Sequence, residues 1–285
     1  AWLQVDPLEA AVAGKDVSSL CLLAEAFGDS LFAHVEVEAK PLVLDLRARS
    51  DLPDGDPMQC DLQLDLKRAE LGELGLMDRD FLVQGDWTGT LVLDTTGHGT
   101  ADLEATDLRL ASGERKFGFE HFRLQALYAS DSLAADLDSD ALKLTFRTNT
   151  PADQLGKRIT EKVMSMLRPD LPFQPDPTAE LRLDAEVPGP ELFTGLLVPD
   201  LQALEVETIH LTYSGASDAL DARIDIPVLT YDSVEVSGLV LTAGGSEENV
   251  RADLSVAHLS RGSWYVPGLG VGFAPQDDWL RTELK

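Results

Sequence analysis

The chain is expected to be an all-β protein, mainly antiparallel: an elongated curled sheet or taco-like groove with one amphipathic helix near residues 152–168. Three observations predict this. Apolar and polar residues alternate over strand-length segments, beginning in LVLDLRARSDL at Leu42 and recurring almost to the end. A period of two puts alternate side chains on opposite faces of a sheet. The segments are joined by short connections bearing Gly, Asp and Pro, which favours a meander over helical crossovers. With 285 residues, 44% of them hydrophobic, the chain has room for one large all-β unit or two domains and enough apolar surface for a core.

The elements follow in order. Residues 1–33 read as a short helical lead-in, because PLEAAVAGK and DVSSLCLLAEAFGDS combine Ala, Leu and Glu without alternation and Asp16 can cap a helix. A first strand array is expected over 34–150. Leu42, Leu44 and Leu46 share one face opposite Val43, Asp45 and Arg47, and after the turn-rich DLPDGDP the residues Leu62, Leu64 and Leu66 repeat the pattern. Leu91, Leu93 and Leu103 carry it onward, followed by Phe117, Phe119, Leu142, Leu144 and Phe146.

In PADQLGKRITEKVMSMLRPDLP, Leu155, Ile159, Val163, Met166 and Leu167 fall at helical spacing between Pro151 and Pro169. This helix and the Pro-rich stretch after it make 151–178 the expected connector. A second strand array is expected over 179–285, with a short helix or turn in PELFTGLLVPDLQAL. Its alternating apolar positions are Leu181 and Leu183, Ile209 and Leu211, Ile224 and Ile226, Leu239 and Leu241, and Leu254 and Val256.

Composition excludes several functions. Lys+Arg 23 against Asp+Glu 50 gives a formal charge of -27, which repels nucleic acid and anionic bilayers. The five histidines are scattered singly, with no HExxH, and no serine sits in GxSxG. Gly156-Lys157 lacks the rest of a phosphate loop. Asp136, Asp138 and Asp140 imitate the start of a calcium loop, but Ala141 and Arg147 stand where glycine and the bidentate glutamate belong. No enzyme, metal or cofactor is expected. Cys21 and Cys60 make no framework, and a bridge between them is left open.

A leucine face of this extent must be covered, by a second sheet in a sandwich or by curling into a trough. A trough lined by the apolar positions named above would hold acyl chains, since burying hydrocarbon is worth about 25 cal/mol per Å² and needs no directional contact. Two alternatives remain from other classes: a structural or adhesive surface β-sandwich with a dry core, and a secretion scaffold that offers strand edges to nascent chains.

GTLVLDTTGHGTADLEATDLRL and LDARIDIPVLTYDSVEVSGLVLTA resemble the TamB/AsmA-like proteins of the diderm bacterial envelope. A recurrent strand motif of that family is met by Ile224, Ile226, Pro227, Leu229, Tyr231, Val234, Val236, Leu239 and Leu241. The resemblance spans residues 35–285. It implies a periplasmic β-groove tethered at the inner membrane, moving phospholipid or other acyl-chain cargo between membranes, or assembling outer-membrane proteins and autotransporters with a barrel partner. The chain shows no anchor and no docking module for that partner, so it is expected to be an internal or amino-proximal segment whose membrane contact lies elsewhere.

Overall fold

The computed structural model describes residues 2–12, 15–51, 57–129, 131–150, 176–246, 251–276 and 279–284. The described chain is all-β and antiparallel, as expected, with a single π-helical turn at Leu192–Leu197. The helix expected over 152–168, and most of the 151–178 connector, lie outside the described residues. The chain divides into two compact units, one of residues 1–130 with 137–140, the other of 131–136 with 141–285.

The first unit is a meander of β1 (Trp2–Val12), β2 (Lys15–Phe27), β3 (Ser30–Ala39), β4 (Leu42–Asp51), β5 (Met58–Glu70), β6 (Leu82–Leu93) and β7 (Gly99–Ser112). Each strand pairs with its successor. The short β8 (Arg115–Gly118) and β9 (Phe122–Ala129) then pair with β7 in tandem, at its Arg109–Ser112 and Gly99–Ala105 stretches. Asp107 sits between those stretches at φ 52, a left-handed conformation that Asp tolerates in a bulge.

The described part of residues 1–33 is not the expected helical lead-in but β1, β2 and the start of β3. Ala, Leu and Glu favour a helix only weakly, and pairing with neighbouring strands, on both sides for β2, outweighs that preference. Leu22 and Ala24 stand opposite Val35 and Ala33 of β3, and the ladder runs unbroken from Leu20↔Val37 to Phe27↔Ser30. The alternation was hidden because Leu23 and Phe27, on the opposite face from Leu22 and Ala24, are apolar too.

The second unit orders β11 (Lys143–Thr148), β12 (Glu180–Glu186), β14 (Thr208–Ser214), β15 (Ala219–Tyr231), β16 (Val234–Gly245), β17 (Arg251–Arg261), β18 (Trp264–Gln276) and β19 (Trp279–Leu284). A short β13 (Leu201–Glu205) continues the edge beside β14, so β15 is flanked by β14 along Ala219–Asp225 and by β13 along Val228–Tyr231. Leu192 and Leu196 of the π-helical turn are buried. β10 (Ser132–Ser139) straddles the division, with its first half belonging to this unit.

Candidate functional site

In the first unit the expected leucines converge on one face. Leu44 stands opposite Val37 and Leu66, Leu46 opposite Val35 and Leu64, and Leu42 opposite Ala39 and Ala69. The rows continue across β6, where Leu64 meets Trp87, Leu62 meets Gly89 and Cys60 meets Leu91. Leu103 stands between Gly89 and Leu124, and Ala105 between Trp87 and Phe122. Gly89 is required at its place, because a Cβ there would lie 2.5 Å from the Asp102 carbonyl oxygen and run into the Leu103 side chain.

These side chains are only partly covered. Val37 is 4% exposed and anchors a small core with Ala39, against which Val35, Leu42 and Leu44 pack. Leu46, Leu62, Leu64, Leu66, Leu91 and Leu103 are half-buried, and Leu93 at the strand end is 46% exposed. The filled core of a closed sandwich leaves such residues almost no accessible surface. Phe117, Phe119, Phe122 and Trp87 join edge to face, with ring centroids 5.0 Å, 5.6 Å and 5.3 Å apart in succession, one of the arrangements that ring quadrupoles favour.

The opposite face is ionic. Asp45 accepts from Arg47 and lies 3.1 Å from His34; Asp102 accepts from Arg123 and Gln125. Burial opposes ionisation of Asp45, yet the Arg47 hydrogen bond and charge, with His34, hold its carboxyl below the usual range. At Asp102 the Arg123 hydrogen bond does so, followed by Gln125. A concavity of about 570 Å³ on this face, between β2 and β5, is lined among others by Leu23, Phe32, His34, Arg47, Arg49 and Gln63. Its cations are already engaged: Arg47 with Asp45, and Arg49 over the Phe32 ring at 5.4 Å.

The second unit repeats the arrangement. Leu144 begins a row through Ala185, Ile209, Ile224, Leu241 and Leu254, and Phe146 one through Leu183, Leu211, Ala222, Ala243 and Ala252. Leu142 lies just before β11, and Leu181 stands between Thr148 and Tyr213. Ile226 faces Leu239, and Val256 faces Leu269. Leu181 and Val256 are buried and the other candidates of this unit half-buried. The reverse side carries Asp184 with Arg182 and His210, Arg223 with Asp225, and Arg251 with Asp253. The Arg182 hydrogen bond, then that of His210, lowers the Asp184 carboxyl.

One feature of this unit escaped sequence reasoning. The ladder of β15 to β18 is interrupted at a common level, skipping Pro227 and Gly238, Ala257 and Gly268. Pro227 has no N–H to donate, and Gly238 and Gly268 have φ of 59 and 75. Beyond this crease the apolar residues change faces. Leu204, Leu229, Val236, Leu259 and Val266 form a row on the side that is ionic before the crease, while Thr230, Glu235, Ser260 and Tyr265 occupy the other. The signal was present as a one-residue slip in the apolar phase, from Ile224 and Ile226 to Leu229 and Tyr231.

Chemistry beyond these surfaces is sparse. Among the described residues no three His, Cys, Asp or Glu side chains are grouped to hold a metal, and no helix is long and apolar enough to cross a membrane. The calcium-like aspartates are engaged by other side chains and backbone, Asp136 with Arg147 and Thr145, Asp138 with the His121 ring, and Asp140 as acceptor of the His121 backbone N–H. Comparison of the chain with family models, with curated proteins and with solved structures finds no match.

Proposed function

We propose that the chain is a non-enzymatic carrier surface whose leucine faces shelter acyl chains, in the setting that the TamB/AsmA-like resemblance implies. That setting is the periplasm, with phospholipid moving between inner and outer membranes or outer-membrane proteins being assembled beside a barrel partner. One observation carries the reading: apolar rows cross six strands in each unit, β3–β7 with β9 and β11, β12 with β14–β17, yet most of their side chains remain partly exposed while charged residues alternate with them on the other side. Half-covered hydrocarbon of this extent costs free energy in water, and an acyl chain removes that cost without needing a hydrogen bond. The phosphate of a phospholipid would stay in water, since the chain's excess of 27 negative charges repels it from the ionic faces. No ATP or metal is called for, because sliding along an apolar surface exchanges equivalent contacts.

The test is native mass spectrometry with lipid extraction on the purified chain, beside a carrier emptied by detergent. Phospholipid or fatty acid at fixed stoichiometry, reloading into the emptied form, supports the reading. A lipid-free protein that also rejects a fluorescent phospholipid overturns it in favour of a dry structural domain.

A further inference from the structure

Beyond the crease of the second unit, the turns that join β15 to β16 and β17 to β18 lie side by side. They are linked by Arg261 and Asp232, 3.6 Å apart. Tyr231 pairs with Val234 at one turn and Arg261 with Trp264 at the other, and Leu229, Val236, Leu259 and Val266 form the next row on the same face. Trp264 is 78% exposed and Tyr231 46%, and Val266 is exposed as well. On the other face of the same hairpin, Tyr265 is 63% exposed, its ring 5.8 Å from that of His258. Aromatic rings thus project from both sides of one strand end.

We propose that this hairpin end inserts into the interfacial layer of a zwitterionic bilayer. A protruding end with Trp264 on one face and Tyr265 on the other suits a fluid medium that closes around it, whereas a protein partner would have to offer a slot fitted to both faces. Trp and Tyr each have an apolar body and a polar handle, the combination that settles at the lipid–water boundary. Charge selects the kind of membrane. The formal charge of -27 disfavours an anionic surface, while at the tips themselves Arg261 is matched by Asp232. This contact is independent of whether the leucine faces carry acyl chains.

The experiment is flotation of the whole chain with phosphatidylcholine vesicles, with and without brominated acyl chains that quench nearby tryptophan. The wild type is expected to float and to lose part of its emission to the brominated lipid. The Trp264→Ser/Tyr265→Ser double substitution is expected to weaken flotation about tenfold, as loss of two interfacial anchors should, and to remove the part of the quenching that Trp264 carries, while any quenching of Trp87 on the leucine face persists. The folded state is checked by circular dichroism, and Trp264→Phe alone, which keeps the apolar ring, is expected to keep flotation while losing only the Trp264 part of the quenching. A wild type that stays in solution overturns the proposal, as does undiminished flotation of the double variant. Flotation that collapses in high salt overturns it too, since it would mark an electrostatic rather than an interfacial contact. Aspartate at Leu64, which lies outside this end, is expected to cut lipid co-purification without changing flotation, so the two readings fail separately.

Discussion

The two units spend the same alternation differently. In the first, the leucine rows keep to one face along the strands, with Leu23, Phe27 and Phe32 as apolar exceptions on the other, so that Leu42 and Leu46 of β4, well apart along it, stand in parallel rows on the same side. In the second, that side is apolar only as far as the level of Pro227, Gly238, Ala257 and Gly268, and the opposite side is apolar beyond it. Register does not slip at the crease; only the sequence phase does. A sheet can therefore change which face it shows to hydrocarbon by a one-residue slip in pattern, provided the pairing is held.

The largest effect that tests this contrast comes from charging the leucine face of the first unit at a covered and at an open position. Val37→Asp places a carboxylate at a site that is 4% exposed, inside the small core with Ala39. It is expected to cost about 3–5 kcal/mol, enough to unfold the unit at ordinary temperature. Leu93→Asp, at 46% exposure, is expected to change stability by no more than about 0.5 kcal/mol while reducing bound lipid. Urea denaturation of both variants decides it. Equal and large losses would mean that the face is a closed core.

A smaller effect is expected from acid, and it concerns the ionic faces. Asp45 and Asp102 in the first unit, and Asp136 and Asp184 in the second, are all held below the ordinary carboxylate range. At Asp136 the Arg147 hydrogen bond is the chief cause. A folded-state pKa below the unfolded one gives stability that is complete above the unfolded value and is lost as pH falls through the folded one. Thermal stability is therefore expected to be flat near neutrality and to fall below about pH 4. Arg123→Ala and Arg182→Ala each remove the main partner of one carboxylate, so each should flatten that acid limb. An unchanged limb would show these exposed pairs to be energetically idle.

Much of this was legible in sequence, and the lapses have physical causes. The rows of Leu42, Leu44, Leu46, Leu62, Leu64 and Leu66 could be read directly, because charged residues alternate with them. Leu22 and Ala24 were missed because Leu23 and Phe27 on the other face blurred the alternation, leaving helix-forming composition as the stronger local signal. The crease was missed because face identity depends on which strands pair. Leu229 and Val236 reveal their side only when set opposite each other.

The finest test of the two-faced arrangement uses the native thiols and alters no residue. Cys21, on β2, stands opposite Glu36, whereas Cys60, on β5, stands between Ser50 and Leu91 on the leucine face. Two strands intervene, a separation of about 14 Å at the usual inter-strand spacing, and the side chains point to opposite faces, so a bridge within the chain is excluded on geometry. Both are free, and non-reducing thiol titration should count two. Burial, with the Asp61 charge beside it, pushes the Cys60 thiol up, so less of it is thiolate near neutrality and it should label more slowly than the exposed Cys21. Loading with phospholipid should slow Cys60 further and leave Cys21 unchanged, because only one of the two lies where an acyl chain would rest. Equal protection of both thiols would point to a change in the whole sheet, and protection of neither would place the lipid elsewhere.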